Sequence, residues 1–442
     1  MLYFINKNFN ILSKKNKGEI FFLLGIFLLP AAFPLGSLFL LISLIISFFK
    51  NSRKFLNDRS NYPVFLAIGI ILISTINTSL INIPEELINY QKSSVWLNLF
   101  NWIPILLGYL GFQDYLNSNE QKINFAKYLI AGTVPVIVSC FVQYNFYFKD
   151  HISILNGLLI WFMKTPAEGS AVSGLFSNPN YLVSWLIICL PFSLLLIKVS
   201  KKNSNQIILF IISVLFTAFL ILTNSRNGFL GLIVVIISFF GIKRFLLFIL
   251  PIASLSYLTN LLLMKIANLY FFKWFLSNEI VTKIINSTFD FQTNSRIQIW
   301  ESAISFINEK PFLGWGASTF PYLHQYYSKT FSPPLWFEDA QHSHNIFLEM
   351  AHNFGLPFSL LISISILFLI SKVLLNLKKS NNYEEYLISK LWITSTLGII
   401  LIHLTDMTYY DGKISLLICI LFAGLKSSLG LEKSAISNIK ND

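Results

Sequence analysis

Residues 206–242 read QIILFIISVLFTAFLILTNSRNGFLGLIVVIISFFGI. Two apolar runs, 206–223 and 227–242, are divided only by the turn Thr223-Asn224-Ser225-Arg226-Asn227-Gly228. Each run approaches the roughly 20 apolar residues that carry a helix across a bilayer. The stretch therefore predicts two antiparallel membrane helices, with Arg226 at the boundary where they meet.

The rest of the chain repeats this pattern. Of its 442 residues 54% are hydrophobic and 12% charged, with a mean hydropathy of +0.62; a soluble domain carries about twice that charged fraction. The expected fold is an all-α polytopic membrane protein. About twelve spans are expected, near 19–34, 35–50, 63–81, 96–115, 125–144, 179–198, 206–223, 227–242, 245–263, 345–371, 387–405 and 413–427. The first two, broken at Pro30 and Pro34, read equally as one bent hairpin. Lys14, Lys15 and Lys17 before an apolar run without a clear cleavage site read as a retained signal anchor. Cys140, Cys189 and Cys419 all fall within apolar runs and read as packing residues.

The net charge of +12 would suggest nucleic acid in a soluble chain, but here its distribution carries the information. Lys50-Arg53-Lys54-Arg59, Lys198-Lys201-Lys202, Lys243-Arg244 and Lys372-Lys378-Lys379-Lys390 all fall on one set of alternate connections. The other set, outside one long loop, holds only Lys92, Lys149, Lys164, Arg226 and Lys413. By the positive-inside rule the first set is cytoplasmic. The long loop, residues 264–343, and the turns at Thr223–Gly228 and Thr405–Gly412 are then expected outside, within a single integral membrane domain spanning 1–442.

Three outward features carry candidate chemistry. Arg226 lies where the positive-inside rule disfavours a cation; it either snorkels to lipid headgroups or faces a cavity and binds an anion, for which its planar fork suits phosphate. Ser295-Arg296-Ile297-Gln298 has the capping-box pattern, and Ile297, Trp300, Ile304 and Ile307 mark the apolar face of a helix that Pro311 ends. Arg296 then sits in a first turn whose free N–H groups already favour anions; alternatively it faces solvent. Pro311-x-x-Gly314-x-Gly316 reads as tight turns. The third feature is His342-Ser343-His344-Asn345. With Glu338 and Asp339 it could form a metal site, His344 at a helix start suits general-base work, and capping without chemistry is the bland alternative. The chain has no Asp-x-Asp, which argues against the metal-dependent glycosyltransferase arrangement that uses one.

Taken in order, Asn224-Ser225-Arg226-Asn227-Gly228, Arg296-x-x-x-Trp300, Pro311-x-x-Gly314-x-Gly316 and His344-Asn345-x-x-Leu348-Glu349 resemble the O-antigen ligase superfamily. That group includes O-antigen ligases, some O-antigen polymerases and bacterial protein O-oligosaccharyltransferases. Gly174-Leu175-Phe176-Ser177-Asn178-Pro179-Asn180-Tyr181 resembles the segment entering a mid-chain span of that family. The motifs cover roughly residues 174 to 360; the N-terminal spans match in hydrophobicity alone.

The resemblance implies transfer of a glycan from a polyprenyl-pyrophosphate carrier to an acceptor hydroxyl, on a lipid A-core, a glycan or a protein, at the outer side of the inner membrane. It implies no cofactor, nucleotide, nucleic acid or metal. Arg226 and Arg296 would hold the diphosphate and His344 would act as base, with inversion at the anomeric carbon. His342, Trp300, Asn345 and Asn180 would contact substrate. Trp315, Trp336 and the Tyr322/Tyr326/Tyr327 cluster would stack on sugars or form an interfacial aromatic belt. A different class, a small-anion or inorganic-carbon transporter, would need ionisable groups near the bilayer midplane. The suggestive charges lie instead at the outer boundary.

Overall fold

A computed structural model describes residues 16–80, 90–91, 93–146, 152–161, 171–247, 295–328, 340–380 and 382–439. The expected span 245–263, residues 264–294 of the long loop, Trp336, Glu338 and Asp339 fall largely or wholly outside them. Among the described residues nine helical segments are long and apolar enough to cross a membrane.

The chain opens with α1 (Lys17–Leu28) and α2 (Phe33–Asn57). They fold against each other about Gly25 and Gly36, where a Cβ at Gly36 would lie 2.8 Å from the Leu29 backbone. At 12 residues α1 is too short to span, so the bent-hairpin reading of 19–50 replaces the two-span reading. α3 (Tyr62–Leu80), α4 (Ser93–Leu97), α5 (Ile103–Gly111) and α6 (Asn119–Phe146) follow. A short antiparallel hairpin pairs Ile152–Ile154 with Leu159–Trp161 in the next connection, a feature the apolar pattern does not announce. α7 (Pro179–Val199), α8 (Asn203–Leu222) and α9 (Arg226–Phe240) form the consecutive bundle read from 206–242. Next come α10 (Ser295–Glu309), α11 (Phe320–Ser328), α12 (Ile346–Phe354), α13 (Leu356–Leu377), α14 (Tyr383–His403) and α15 (Gly412–Ile439).

The core lies where α7, α14 and α15 meet α6. Trp185 and Trp392 are fully buried there. Because an indole N–H in an apolar interior needs a partner, each donates: Trp185 Nε1 to Thr133 Oγ1 at 3.1 Å and Trp392 Nε1 to Leu421 O at 2.8 Å. Around this centre, α2, α8 and α13 expose Leu38, Leu41, Phe210, Ile211, Leu367 and Phe368. Such a contiguous apolar exterior fits acyl chains rather than water.

The expected single span 345–371 is two helices. Gly355 (φ +88) ends α12 and Pro357 starts α13. A Cβ at Gly355 would lie 2.1 Å from Phe312 O, so the break and the Pro311–Gly316 turn require one another. Trp315 N donates to His352 O, Gly316 N to Asn353 O and Leu356 N to Pro311 O, at 2.8, 3.1 and 2.7 Å. Gly314 (φ +68) is held equally close, with a Cβ 2.5 Å from His352 O.

A second, smaller core joins α10 and α11 with Tyr90 and Val95. Here the helix face differs from expectation. Ile307 is buried as expected, but it is joined by Ile299, Ala303 and Phe306, whereas Ile304 is 48% exposed. Both sets fit a helical period, and the deciding factor is tertiary: Trp315 packs on that side, its indole donating to Phe306 O at 2.8 Å.

Candidate active site

The site gathers round the turn between α14 and α15, residues 404–411. Leu404 O accepts from Asn345 Nδ2 at 2.9 Å, and Thr405 Oγ1 donates to Asn227 Oδ1 at 2.9 Å. Those two bonds bring the starts of α12 and α9 to the turn. The start of α10 arrives through Arg296, whose Nη2 lies 3.6 Å from Asp406 Oδ2. Three helix N-termini, each a positive dipole end, thus converge on one short turn, and Arg226, Arg296 and His344 lie at or beside those starts.

Two of these approaches use an unusual backbone. Asn224 and His344 adopt φ of +53° and +52°, a left-handed conformation that Asn and His tolerate better than most residues. Each precedes a helix-capping position, Ser225 and Asn345. The Asn345 side chain also accepts from Phe347 N and Leu348 N at 2.9 and 3.2 Å. It is occupied as a cap and a tie to Leu404.

Asp406 is the residue that the motif reading missed. Buried to 5% exposure, it faces His344 Nδ1 at 3.1 Å through Oδ1, which also accepts from Met407 N at 2.8 Å. Burial alone would raise its pKa, but His344, Arg296 and the Met407 N–H together hold it below the ordinary carboxylate value. An ionised Asp406 can only accept, so His344 donates to it from Nδ1, and in the neutral ring Nε2 is then the acceptor. Arg296 is lowered by burial; Asp406 opposes this and the like charge of Arg226 adds to it. Two guanidinium groups thus lie within electrostatic reach of each other at this end of the bundle, Arg226 exposed and Arg296 beside Asp406.

Beside this cluster lies a cavity of about 700 Å³ lined by Tyr90, Tyr181, Tyr322, Gln325, His342 and Tyr410, among others. His342 is pushed down to about 4 by burial and by the neighbouring His344, so it stands neutral. Its Nδ1 accepts the His344 N–H at 3.4 Å, which puts its own proton on Nε2. Glu349, 2% exposed, also borders this cavity. It accepts from Ser343 N at 2.9 Å and from the Tyr410 hydroxyl at 2.7 Å; burial and this carboxylate hold the phenol well above its ordinary value.

The remaining expected residues are placed less centrally. Trp300 is one turn along α10 from Arg296, its indole nitrogen buried without a hydrogen-bond partner among the described residues. Asn180 is the second residue of α7 and immediately precedes Tyr181 of the cavity. Among the described residues no group of three His, Cys, Asp or Glu side chains could hold a metal ion.

The sequence of this helical membrane bundle has known counterparts. Residues 210–363 match the family model for O-antigen ligase. The chain is also similar to the ComP-specific O-oligosaccharyltransferase of Acinetobacter baylyi (strain ATCC 33305 / BD413 / ADP1), at 25% identity over 400 residues covering 85% of this chain. It spans 65% of that relative's length. Both matches support the O-antigen ligase superfamily reached from the motifs.

Proposed function

We propose that this chain transfers a glycan from a polyprenyl-pyrophosphate carrier to an acceptor hydroxyl at the outer boundary of the inner membrane. The observation that carries the reading is the convergence of Arg226, Arg296, His344 and Asp406 at one end of the bundle. Negative charge grows on the pyrophosphate as the glycosidic bond breaks, and preplaced guanidinium groups that bind it more tightly in that state lower the barrier. His344 Nε2 takes the proton of the attacking hydroxyl. Asp406 holds the imidazole in the tautomer this requires and stabilises the imidazolium that forms, the role a buried carboxylate has in hydrolase triads. Attack on the face opposite the departing pyrophosphate inverts the anomeric carbon.

The two cavities divide the substrate by polarity. The hydroxyl- and amide-lined space beside His342 suits sugars, which stack on tyrosine rings and bond to their hydroxyls. An almost wholly apolar cavity of about 580 Å³, bordered by Trp102, Phe347, Met350 and Tyr409, begins next to the same helix start and suits the prenyl chain. The name of the Acinetobacter relative favours a second choice of acceptor, a protein hydroxyl in place of a glycan or lipid A-core.

The test is transfer by the purified protein from a synthetic polyprenyl-pyrophosphate glycan to a panel of those acceptors, read by mass spectrometry. His344→Ala should lose about a hundred- to ten-thousand-fold of the rate, as expected for a positioned base, and His342→Ala far less. A strong chelator should leave the rate unchanged. Comparable losses at both histidines with chelator sensitivity would replace the base with a metal site, and no transfer to any acceptor would reject the activity.

A further inference from the structure

The far end of the same bundle holds a second concentration of cations that the proposed reaction does not use. α7 ends at Val199, α9 ends at Phe240 and α14 begins at Tyr383, so all three place these termini away from Arg226, His344 and Asp406. Between them lies a cavity of about 290 Å³. Lys198 from α7, Arg244 from the segment after α9 and Lys390 from α14 all line it.

Basic residues beside a membrane helix usually reach individually into headgroups. This arrangement differs in two respects. The three cations come from three separate segments onto one concavity, and none of them pairs with a carboxylate among the described residues. The cavity is also amphipathic. Tyr383 and Tyr386 supply hydroxyls, whereas Phe239, Phe240, Leu387 and Leu391 supply an apolar wall. The Phe239 and Phe240 rings pack edge to face at 5.0 Å, and Lys198 Nζ lies 5.8 Å above the Phe239 ring. Lys390 Nζ lies 5.7 Å above that of Tyr386. The aromatic rings hold the two ammonium groups at the cavity wall without neutralising them.

From this geometry we infer a binding site for an anionic glycerophospholipid of the cytoplasmic leaflet, with its phosphodiester among Lys198, Arg244 and Lys390 and an acyl chain along Phe239, Phe240 and Leu391. Clustered basic residues between membrane helices recognise such headgroups by charge and by hydrogen bonds to phosphate oxygens. A soluble phosphate would satisfy the cations but leave the adjoining apolar wall uncovered, which favours the lipid.

Native mass spectrometry of the full-length protein in mild detergent tests this, with phosphatidylglycerol, phosphatidylcholine and inorganic phosphate as probes. Wild type should retain a single phosphatidylglycerol, resist displacement by millimolar phosphate and discriminate against phosphatidylcholine. The triple variant K198Q/R244Q/K390Q should bind phosphatidylglycerol about a hundredfold more weakly, at unchanged helicity by circular dichroism, and K198R/K390R should retain it. In the wild type, a photoactivatable phosphatidylglycerol should crosslink to residues 383–391, a result independent of whether the triple variant folds. Equal retention of both lipids, undiminished binding by a folded triple variant, or crosslinks spread round the whole rim would overturn the site. Displacement by inorganic phosphate would replace the lipid with a soluble anion.

Discussion

Asp406→Asn separates a positioned base from a histidine that merely caps. The substitution keeps the side-chain shape and an oxygen able to accept from Met407 N, now 2.8 Å away, so the turn has no cause to rearrange. It removes the charge that His344 Nδ1 meets at 3.1 Å and Arg296 at 3.6 Å. A hydrogen bond to a charged group contributes about 1.5–3 kcal/mol, and the longer contact to Arg296 adds less. Because Asp406 is almost wholly buried, solvent screens little of either. Should the amide instead turn its NH₂ toward Nδ1, at the cost of the Met407 N bond made to the same oxygen, it forces the imidazole proton onto Nε2 and removes the base. A combined loss of about 3–5 kcal/mol in the transition state corresponds to about 10²- to 10⁴-fold in rate. The assay is single-turnover transfer from a polyprenyl-pyrophosphate glycan by purified protein, with circular dichroism and melting in detergent as fold controls. A folded Asn variant within about threefold of wild type would show that neither the tautomer of His344 nor the placement of Arg296 depends on Asp406.

Other expectations use different observables. Arg226→Lys and Arg296→Lys should each lower transfer at least about tenfold while protein level and membrane insertion stay normal, since lysine keeps the charge but loses the two-pronged fit to phosphate; full activity would reduce that arginine to a point charge. Tyr326, 41% exposed on α11, replaced by Cys should react with an impermeant thiol reagent in intact spheroplasts against the buried Cys140, Cys189 and Cys419, and labelling only after lysis would reverse the orientation. His342, at about 4 when folded against an ordinary 6.5, refuses a proton that the unfolded chain takes up. Stability should therefore fall as pH drops from about 6.5 toward 4, by up to about 3 kcal/mol from this group. His342→Gln should show a smaller melting-temperature drop between pH 7.5 and 5, and an equal drop would place the effect elsewhere.

The membrane class and the helix-start positions of Arg226, Arg296 and His344 were legible because they rest on local signals: long apolar runs, a polar turn too short to leave the boundary, and helix-start patterns. Asp406 was not, because nothing adjacent in the chain marks it; its partners are 62 and 110 positions away in sequence. A signal did exist, since an acid in a short turn between two apolar spans is costly unless it is paired. The break at Gly355 was likewise written as Gly355-Leu356-Pro357, a helix stop followed by a helix start, but continuous hydropathy concealed it. The buried face of α10 could not be read locally, because apolar residues satisfy a helical period on two sides and only the packing of Trp315 chooses between them.

The break at Gly355 makes α12 a strut about 13 Å long, at 1.5 Å per residue. Its lower end is clamped to the 311–316 turn by backbone hydrogen bonds and its upper end to the 404–411 turn through Asn345. The α10–α11 cap and the membrane bundle are therefore linked through this piece, beside the direct contacts of Arg296 with Asp406 and of the Ser74 hydroxyl with Leu313 O. The same short helix thus ends at the cap on one side and directly after His344 on the other, while Arg296 belongs to the cap itself, so the packing of the cap sets the spacing between the histidine and that arginine.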